Sequence, residues 1–491
     1  MKILLLNPPG ARRFVRDNYC SKIAQAAYSY APVDLLLASS RIEDAVLVDA
    51  IVDGLTPSRC LDLIESLRPD GIISLVSSVS WSEADRPFLT SLKSRLPTVP
   101  ILVTGDVILE GGAEIMAANP WLDGIILDFT NQDALLYFRK QYDGISQMIY
   151  RSAGEGVVSK TGPRTNGVIE GLGRPHHELF LRLPYRYPFV RHRRFATVQT
   201  DYGCPYKCKF CAFCSLGYQW RPVQKVIDEL LWLKGLGVKE IYFNDQTFGG
   251  TPQRLESLCK TMINERLGMG WCCWCRLDLA SDRLELMKEA GCHTVMFGVE
   301  SASEESLRRM NKALNKKLVK DVFARCRSLG LRTLGTFVLG LPGEDRSDIV
   351  RTIEWALELD PVFASFNVLI PRKGSQLRRE AKEKGLLPAE ELALDQSGEN
   401  CVFTWGQLEV HELRELHTQA LRRFYLRPSH WWRLLTGVRT LYDVSTLLNM
   451  GRTMAWGHWE QSPRPLELEV RRENPLQTSL EEQATAVGDR R

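Results

Sequence analysis

The stretch DYGCPYKCKFC, from Asp201 to Cys211, brings three cysteines together near the middle of the 491-residue chain. Cys204, Cys208 and Cys211 follow the spacing C-x3-C-x2-C. Three thiolates on one tight loop are too few to close a tetrahedral zinc site. They are the right number to hold three irons of a [4Fe–4S] cluster, because thiolate is the soft ligand that such clusters select. The fourth iron then has no protein ligand and is open to a small molecule.

With the aromatic Phe210 before its last cysteine, this loop resembles the signature of radical S-adenosylmethionine (SAM) enzymes. The resemblance implies that the amino and carboxylate groups of SAM chelate the open iron. It also implies that an electron, delivered by an external donor such as flavodoxin or ferredoxin, breaks a carbon–sulfur bond and yields a 5′-deoxyadenosyl radical. The alternatives are a zinc knuckle with Cys214 as its fourth ligand, or a run of buried free cysteines. The motifs further along the chain favour the radical SAM interpretation over both.

Composition argues against several classes of protein: nucleic-acid-binding, disulfide-rich, secreted and membrane-spanning. A formal net charge of +4 is too small to argue for a nucleic-acid partner. Thirteen cysteines, an odd number, do not form a disulfide framework, and thiols at metal-ligand spacing favour a reducing compartment. The apolar run at the N-terminus is too short for a signal peptide, and no apolar run in the sequence is long enough to span a membrane. We therefore expect a cytoplasmic protein.

Residues 1–150 alternate short apolar runs with helix-like stretches, which predicts a parallel sheet covered by helices on both faces. The predicted strands are Lys2–Leu6, Ala45–Val48, Gly71–Leu75, Ile101–Val103 and Gly124–Leu127, with helices such as Ser58–Leu67 and Ala84–Leu96. Ligands bind such sheets at the carboxyl ends of the strands. A flavodoxin-like domain is the expected fold.

In position and pattern this region resembles the cobalamin-binding domain that precedes the barrel in B12-dependent radical SAM enzymes. The cobalamin fingerprint D-x-H-x-x-G aligns with Asp49 to Gly54, but Ile51 stands where the fingerprint has histidine. The resemblance implies cobalamin contacts at Asp49, Gly54, Ser74 and Gly105, with no imidazole for the cobalt. The open alternative is a flavodoxin-like domain that no longer holds cobalamin.

Residues 151–190 are rich in Gly, Ser and Pro and have no apolar period, so they are predicted to be a linker. The run LPYRYPFVRHRRF, residues 183–195, is basic and aromatic. We interpret it as a solvated strap between domains in preference to a substrate-contacting segment.

Strand–helix units repeat over residues 191–385 and predict a partial (β/α)6 barrel of the TIM type, with its chemistry at the carboxyl ends of the strands. The predicted strands are Ala196–Gln199, Glu240–Phe243, Trp271–Arg276, Thr294–Val299, Thr333–Leu339 and Ala364–Leu369. Their ends resemble the family's motifs for SAM contacts, in order after the cluster loop. The contacts implied are Phe210, Asp245, Arg276, Glu300, Ser301, Gly340 and Leu369.

The remaining cysteines have a simpler interpretation. In WCCWC, Cys273 and Cys275 share one face of a strand because side chains alternate. They can approach the reaction centre, but a buried free cysteine commonly acts as a small hydrophobe, and we favour that role.

Residues 386–460 are predicted to form a helical C-terminal region, with a helix over His411–Leu426 that ends at Arg427-Pro428. The following segment combines Trp431, Trp432 and several leucines with Arg433, Arg439 and Arg452. Packing as a cap over the barrel is favoured over peripheral membrane contact. Residues 461–491 have no apolar period and are predicted to be disordered.

The resemblance implies radical C-methylation, in which a 5′-deoxyadenosyl radical activates an unactivated carbon of a small-molecule or lipid-like substrate and methylcobalamin supplies the methyl group. The alternative within radical chemistry is a non-methylating cyclase, oxidase or rearrangement enzyme of tetrapyrrole, hopanoid or natural-product biosynthesis. A tRNA methylthiotransferase and a non-catalytic electron carrier fit less well. The first needs further cluster cysteines and an RNA-binding domain, and the second needs a fully ligated cluster.

Overall fold

The computed structural model describes residues 1–16, 21–24, 28–152, 154, 156–162, 166–169, 171–387, 404–405 and 408–456. Cys401 and the tail from residue 461 lie outside the described residues. So does the side chain of Cys214, although its backbone is part of a short 3-10 turn, Ala212–Ser215. No helix in the described ranges is both long enough and apolar enough to cross a bilayer.

A seven-stranded sheet forms the N-terminal domain. The first nine strands of the chain are β1 (Lys2–Asn7), β2 (Phe14–Val15), β3 (Lys22–Ile23), β4 (Asp44–Asp49), β5 (Gly71–Leu75), β6 (Ile101–Thr104), β7 (Gly124–Ile126), β8 (Gln147–Ser152) and β9 (Gly156–Thr161). The sheet order is β4-β1-β5-β6-β7-β8-β9, and the first five strands are parallel. This is the doubly wound order of flavodoxin-like domains. The five predicted strands are confirmed, with ends that differ by at most one residue.

Five helices belong to this domain: α1 (Val33–Ser39), α2 (Pro57–Leu67), α3 (Arg86–Arg95), α4 (Gly112–Ala118) and α5 (Asp133–Phe138). A π-helical turn, Trp81–Asp85, leads into α3. The helix α2 begins where a Thr56 cap is followed by Pro57, since proline is favoured at the first helical position. The central strands are buried on both faces, as a sheet covered on both sides requires.

The predicted linker contains regular structure. The strands β8 and β9 add an antiparallel edge to the N-terminal sheet and carry it to Thr161. In β9 the side chains are mostly exposed, so the strand has no apolar alternation and its sequence resembles a loop. The boundary at residue 150 therefore falls within the sheet rather than after it.

A second, six-stranded parallel sheet follows. The remaining strands are β10 (Gly167–Val168), β11 (Phe195–Val198), β12 (Asp201–Gly203), β13 (Tyr218–Trp220), β14 (Glu240–Phe243), β15 (Gly270–Cys275), β16 (Cys292–Glu300), β17 (Arg332–Leu339) and β18 (Phe363–Val368). The order β11-β14-β15-β16-β17-β18 is sequential and every neighbouring pair is parallel. All six predicted strands are confirmed.

Helices alternate with these strands and then continue to the C-terminus. They are α6 (His177–Leu181), α7 (Val223–Gly235), α8 (Pro252–Asn264), α9 (Leu277–Ala280), α10 (Leu284–Glu289), α11 (Glu304–Arg309), α12 (Lys316–Ser328), α13 (Arg346–Leu359), α14 (Gln376–Glu383), α15 (Val410–Tyr425), α16 (Pro428–Thr436) and α17 (Leu441–Trp456). The predicted break before Pro428 is confirmed. The helix α15 packs beside β18, where its Leu416 and Phe424 are fully buried.

The carboxyl edges of the two sheets meet. Glu110, which follows β6, forms ion pairs with Arg378 and Lys382 of α14, and it accepts a hydrogen bond from the backbone of Gly374. On the same side, Lys373 donates to the carbonyl of Val107. This contact positions the N-terminal domain over the strand ends of the second sheet, which is where both folds bind ligands.

Candidate active site

The cysteine loop is held between the antiparallel strands β12 and β13. Gly203, at the start of the loop, has φ +76°, and a Cβ there would overlap the carbonyl oxygen of Gly217. Only glycine tolerates that close approach of two backbones. The Cys204 amide donates to the Gly217 carbonyl (3.2 Å), and the Cys211 amide donates to the Cys208 carbonyl (3.1 Å). The three cysteines are therefore presented by a loop whose two ends are joined.

Segments that follow β16 and β18 hold the middle of this loop in place. The Lys209 amide donates to the carbonyl of Met310, and the Lys209 carbonyl accepts from the amide of Leu377. The Asn311 side chain donates to the carbonyl of Lys207 (2.8 Å). Because these partners follow β16 and β18, the loop lies across the carboxyl edge of the six-stranded sheet.

The donor set fits an iron–sulfur cluster. Cys204, Cys208 and Cys211 are present as thiols and form no disulfide. Among the described side chains, no three His, Cys, Asp or Glu residues are close enough to hold a single metal ion. A [4Fe–4S] cube divides its thiolates among separate irons, so it takes sulfurs that are further apart than those of one zinc ion. Burial raises the pKa of the Cys204 thiol to about 11, and thiols deprotonate when they bind metal.

Arg276 lies beside the cysteines, as its place at the end of β15 predicts. Its Nη1 is 3.8 Å from the sulfur of Cys208. The guanidinium carbon lies 3.8 Å from the centroid of the Tyr206 ring, and the group forms a bidentate ion pair with Asp278 (2.9 and 2.8 Å). A fixed cation at this distance stabilises negative charge on a thiolate. The geometry thus places Arg276 beside the cysteine loop, while its predicted contact with SAM stays a prediction.

Glu300 ends β16 in a strained conformation. Its φ is +68°, which is unfavourable for a side chain of this size, and the strand register shifts beside it. The carboxylate pairs with the ammonium of Lys312, and both side chains are almost fully buried. A Cβ at Gly298 would overlap the carboxylate of Glu300 and lie 2.6 Å from Lys312 Nζ, so glycine is required there. Lys312 Nζ also lies 6.0 Å from the ring of Phe210.

Asp245 has a different environment from the one the strand-end pattern predicts. Its Oδ1 accepts hydrogen bonds from the amides of Thr200 and Asp201 at 2.6 and 2.8 Å, and its Oδ2 accepts from the Thr200 hydroxyl. Burial, together with the neighbouring Asp201, raises the pKa of Asp245. The carboxylate holds the entrance of the cysteine loop, and Asn244 and Gln246 on either side of it line the cavity instead.

The last three predicted SAM residues lie further from the cavity. Ser301 donates to Glu344 (2.6 Å) and is buried. Gly340 takes a positive φ directly after β17, where the side chain of Leu413 of α15 approaches it. Leu369 is buried in a small apolar cluster that includes Leu341, with Phe210 packed against it. None of the three lines the cavity described next, so their contacts with SAM stay predictions.

A cavity of about 480 Å³ lies between the cysteine loop, the six-stranded sheet and the N-terminal domain. Phe210, Cys211 and Glu300 border one end. Residues of β3 and the segment after it border another part, and α17 closes a side. The aromatic side chains among its lining residues are Tyr28, Tyr30, Tyr187, Phe189, Phe210, Phe213, Tyr242, Trp274, Phe363, Tyr425 and Tyr442.

Three of these aromatic rings form the floor of the cavity. Tyr187 stacks on Tyr242 with ring centroids 4.2 Å apart, and Tyr30 meets both rings edge-on. Trp274 donates from its indole to the hydroxyl of Tyr242 (3.2 Å), and Tyr242 in turn donates to Asn244 (2.6 Å). The sequence interpretation of residues 183–195 as a solvated strap is therefore wrong, because Tyr187 and Phe189 line the cavity.

The alternation of side chains along a strand identifies two further residues that line the cavity, Trp274 and Asn244. Cys273 and Cys275 are buried on the helix-covered face of β15, which confirms their role as small hydrophobes. Trp274 between them therefore faces the cavity. The same alternation places Asn244 on the cavity side of β14 and Asp245 on the other side. The aromatic residues of the 28–30 and 187–189 segments carried no such pattern.

The predicted cobalamin contacts lie at the carboxyl edge of the N-terminal sheet. Asp49 accepts hydrogen bonds from Asn7 (2.9 Å), Tyr185 (2.8 Å) and the amide of Val52 (3.2 Å). Burial raises the pKa of Asp49 to about 6, although these hydrogen bonds lower it. Ser74 is buried and donates to a backbone carbonyl. The polar groups of Asp49 and Ser74 are therefore hydrogen-bonded to other groups of the protein.

The two predicted glycines differ sharply. At Gly105, with φ +146°, a Cβ would overlap the carbonyl oxygen of Val76, so the backbone packs too closely for any side chain. At Gly54 nothing lies within 4 Å of the position a Cβ would take. Only Gly54 therefore borders open space.

Comparison with known proteins agrees with this site. The model of the radical SAM superfamily matches residues 198–356. The uncharacterized methyltransferase PH0819 of Pyrococcus horikoshii is 27% identical over 87% of this chain and 93% of its own length. The anaerobic magnesium-protoporphyrin IX monomethyl ester cyclase of Rubrivivax gelatinosus is 23% identical over 76% of this chain and 70% of its own.

The fold also has a solved counterpart. The radical SAM methyltransferase TsrM from Kitasatospora setae, solved with cobalamin and a [4Fe–4S] cluster bound, superposes with a TM-score of 0.61 at 16% identity. The match covers 78% of each chain. The cysteine loop, the strand order and the preceding flavodoxin-like domain agree with these matches: residues 198–356 are similar to the radical SAM superfamily, and the fold is similar to that of a cobalamin-binding radical SAM methyltransferase.

Proposed function

We propose that the protein is a cobalamin-dependent radical SAM methyltransferase that methylates an unactivated carbon of a small-molecule or lipid-like substrate. The observation that carries this proposal is the cavity that both domains share. Its wall includes Phe210 and Cys211 of the cysteine loop as well as Tyr28 and Tyr30 of the N-terminal domain. The two domains therefore border one cavity beside the cysteine loop.

In this proposal the six-stranded sheet is the partial (β/α)6 barrel, and Cys204, Cys208 and Cys211 hold the cluster. When bound, the cluster and the corrin supply reductive cleavage of SAM and methyl transfer. Arg276 stabilises charge at the sulfur of Cys208, and Glu300 with Lys312 offers a charged pair at the cluster end of the cavity. The aromatic floor excludes water, which protects a carbon radical from quenching.

The N-terminal domain fits a corrin without an axial histidine. The sequence has eight histidines, and the first of them is His176, so the predicted cobalamin domain has no imidazole to give. The side chains of Asp49 and Ser74 are satisfied internally. A corrin at this edge is thus held by shape and backbone contacts, and a base-off spectrum is expected because Ile51 offers no ligand.

The cavity supports a substrate with a flat apolar surface. Aromatic rings dominate its wall, and neutral polar groups such as Asn244, Thr336 and Asn367 stand between them. Burying an aromatic or aliphatic group there is worth about 1.5–3 kcal/mol per side-chain equivalent. An external electron donor such as flavodoxin or ferredoxin completes the reaction.

The test is an anaerobic incubation of reconstituted enzyme with a metabolite extract and SAM that carries a deuterated methyl group. Methylation predicts a product labelled in the new methyl, with one 5′-deoxyadenosine and one S-adenosylhomocysteine formed per product. The cyclase-named relative raises the alternative of a non-methylating reaction. A product that lacks the label, formed with 5′-deoxyadenosine alone, would establish that alternative and overturn methylation.

A further inference from the structure

The C-terminal helices expose an apolar face. On α17, Leu441, Val444 and Leu448 recur at i, i+3 and i+7, and the two leucines are 89% and 70% exposed. On α16, Trp432 (72% exposed) and Leu435 recur at i and i+3. These five side chains, the α16–α17 face, are too many large apolar groups for an ordinary solvated helix pair.

The face belongs to helices that are firmly attached. The Tyr442 hydroxyl bonds to both the amide and the carbonyl of Tyr187 (3.0 and 3.1 Å). Asp443 pairs with Arg332 of β17 (3.3 Å). The Trp431 ring of α16 lies beside α17, where a Cβ added at Gly451 would be 3.9 Å from it. The exposed leucines are thus presented in a fixed orientation.

The opposite side of α17 lines the cavity. Tyr442, Ser445, Thr446 and Asn449, at i, i+3, i+4 and i+7, all border it. The helix therefore separates the candidate active site from whatever the apolar face meets. The cavity and the apolar face are thus separated by the width of a single helix.

A basic segment adjoins the face. His192, Arg193 and Arg194 are exposed, and the Thr440 hydroxyl at the start of α17 donates to the carbonyl of Arg191 (2.8 Å). The only acidic residue in the sequences of α16 and α17 is Asp443, which Arg332 already pairs. Arg433, expected from the sequence among the surface cations, instead binds Asp360 and the Pro361 carbonyl.

We propose that the α16–α17 face docks on an anionic membrane surface, with the leucines and Trp432 in the interface and Arg193 and Arg194 at the headgroups. Apolar residues flanked by cations are the composition that anionic bilayers bind. A two-fold dimer through this face would set two basic segments against each other without acidic partners. This inference rests on the surface alone and does not require the proposed methylation.

The experiment is co-sedimentation of the full chain with vesicles of phosphatidylcholine, with and without about 30% phosphatidylserine, at about 0.1 M and 0.5 M salt. We expect binding only to the anionic vesicles and its loss at high salt. Leu441→Ser with Leu448→Ser should lower the partition coefficient at least about tenfold, since two apolar groups leave the interface. Arg193→Gln with Arg194→Gln should lower it about fivefold or more.

Leu63→Ser with Leu231→Ser is the matched control, because these leucines are partly exposed on α2 and α7 and are not part of the α16–α17 face; it should bind as wild type does. Circular dichroism checks that each variant is folded. The proposal is overturned if wild type ignores anionic vesicles at low salt, or if the Leu441/Leu448 variant binds them unchanged. It is also overturned if sedimentation equilibrium shows a dimer that this variant dissociates, since the face would then be a self-interface.

Discussion

The carboxyl edges of the two parallel sheets face each other, yet they differ in how many of their polar side chains reach the cavity. At the N-terminal edge, Asp49 is bonded to Asn7 and Tyr185, and Asp106 is bonded to Ser78 and Ser21. Both carboxylates are occupied within the protein. At the six-stranded edge, Asp245 and Ser301 are also bonded within the protein, but Asn244, Gln246 and Glu300 line the cavity. We therefore expect the N-terminal edge to recognise a ligand by shape and the six-stranded edge to add recognition by side chains.

Backbone strain also differs between the two sheet edges. Glu300, a residue with φ in the left-handed region, is found at the six-stranded edge. At the N-terminal edge the unusual backbone angles fall on glycines such as Gly54 and Gly105, where they cost little. Strain held at a strand end by a buried ion pair is typical of a site prepared for a ligand.

The largest effect is expected at the cysteine loop. Alanine at Cys204, Cys208 or Cys211 should each remove the cluster and abolish 5′-deoxyadenosine formation, because three ligands leave no redundancy. Iron content and the visible absorption spectrum measure the first, and chromatography of the SAM products measures the second. Cys214→Ala is the matched control and should retain both. If it also lost its iron, a four-cysteine site would replace the open-iron interpretation.

Removing the cation beside Glu300 should have the next largest effect. Lys312→Met leaves a buried carboxylate unpaired, which should lower the free energy of unfolding by about 3–5 kcal/mol. Residual folded enzyme should cleave SAM more slowly, since Phe210 and Glu300 border the cluster end of the cavity.

The matched control is Lys317→Met on the neighbouring helix α12, where the pair with Asp321 is exposed and screened by solvent, so its loss should change stability little. Urea denaturation compares the two variants. Equal stabilities for Lys312→Met and Lys317→Met would show that the Glu300–Lys312 pair is not the fixed element described above.

Backbone packing is the feature to test at the N-terminal edge. Gly105→Ala would place a Cβ on the Val76 carbonyl and at a φ that alanine avoids, so the strand ends must separate, at a cost of about 2–4 kcal/mol. Reconstitution with hydroxocobalamin followed by gel filtration should show that this variant retains much less corrinoid than wild type.

Gly54→Ala provides the comparison, because open space surrounds its Cβ position and only its φ of +61° is strained. It should lose about 1 kcal/mol of stability. If both variants keep the corrinoid while SAM cleavage persists, the N-terminal edge does not hold cobalamin through its backbone.

Much of this arrangement could be predicted from the sequence, and the failures have physical causes. Strands buried on both faces are continuous apolar runs, so all eleven predicted strands were found. The exposed strand β9 lacks that signal. The partners of Asp245 and Asp49 are backbone amides and a tyrosine 136 residues away, which no local pattern encodes. The same limit applies to Tyr187, whose stacking on Tyr242 depends on the tertiary fold.

The smallest effect on ligand binding is expected from Asp49→Asn, which tests whether the N-terminal edge uses its carboxylate for a ligand. Burial raises the pKa of Asp49 to about 6 from an ordinary value of 3.8. The folded state thus holds this proton more tightly than the unfolded chain does. The stability that Asp49 contributes is greatest below pH 3.8 and declines as the pH rises through about 6.

Asparagine cannot ionise, so the variant escapes this decline. Relative to wild type, its free energy of unfolding should improve between pH 4 and pH 7 by up to about 3 kcal/mol, as urea denaturation at both pH values will show. At pH 4 it should be about 1 kcal/mol less stable, since one hydrogen bond to Asn7, Val52 or Tyr185 is weakened. Corrinoid retention should not change, because the carboxylate faces protein groups. A large loss of corrinoid from a stably folded Asp49→Asn variant would mean that this edge recognises its ligand by side-chain chemistry after all, and the contrast between the two edges would fail.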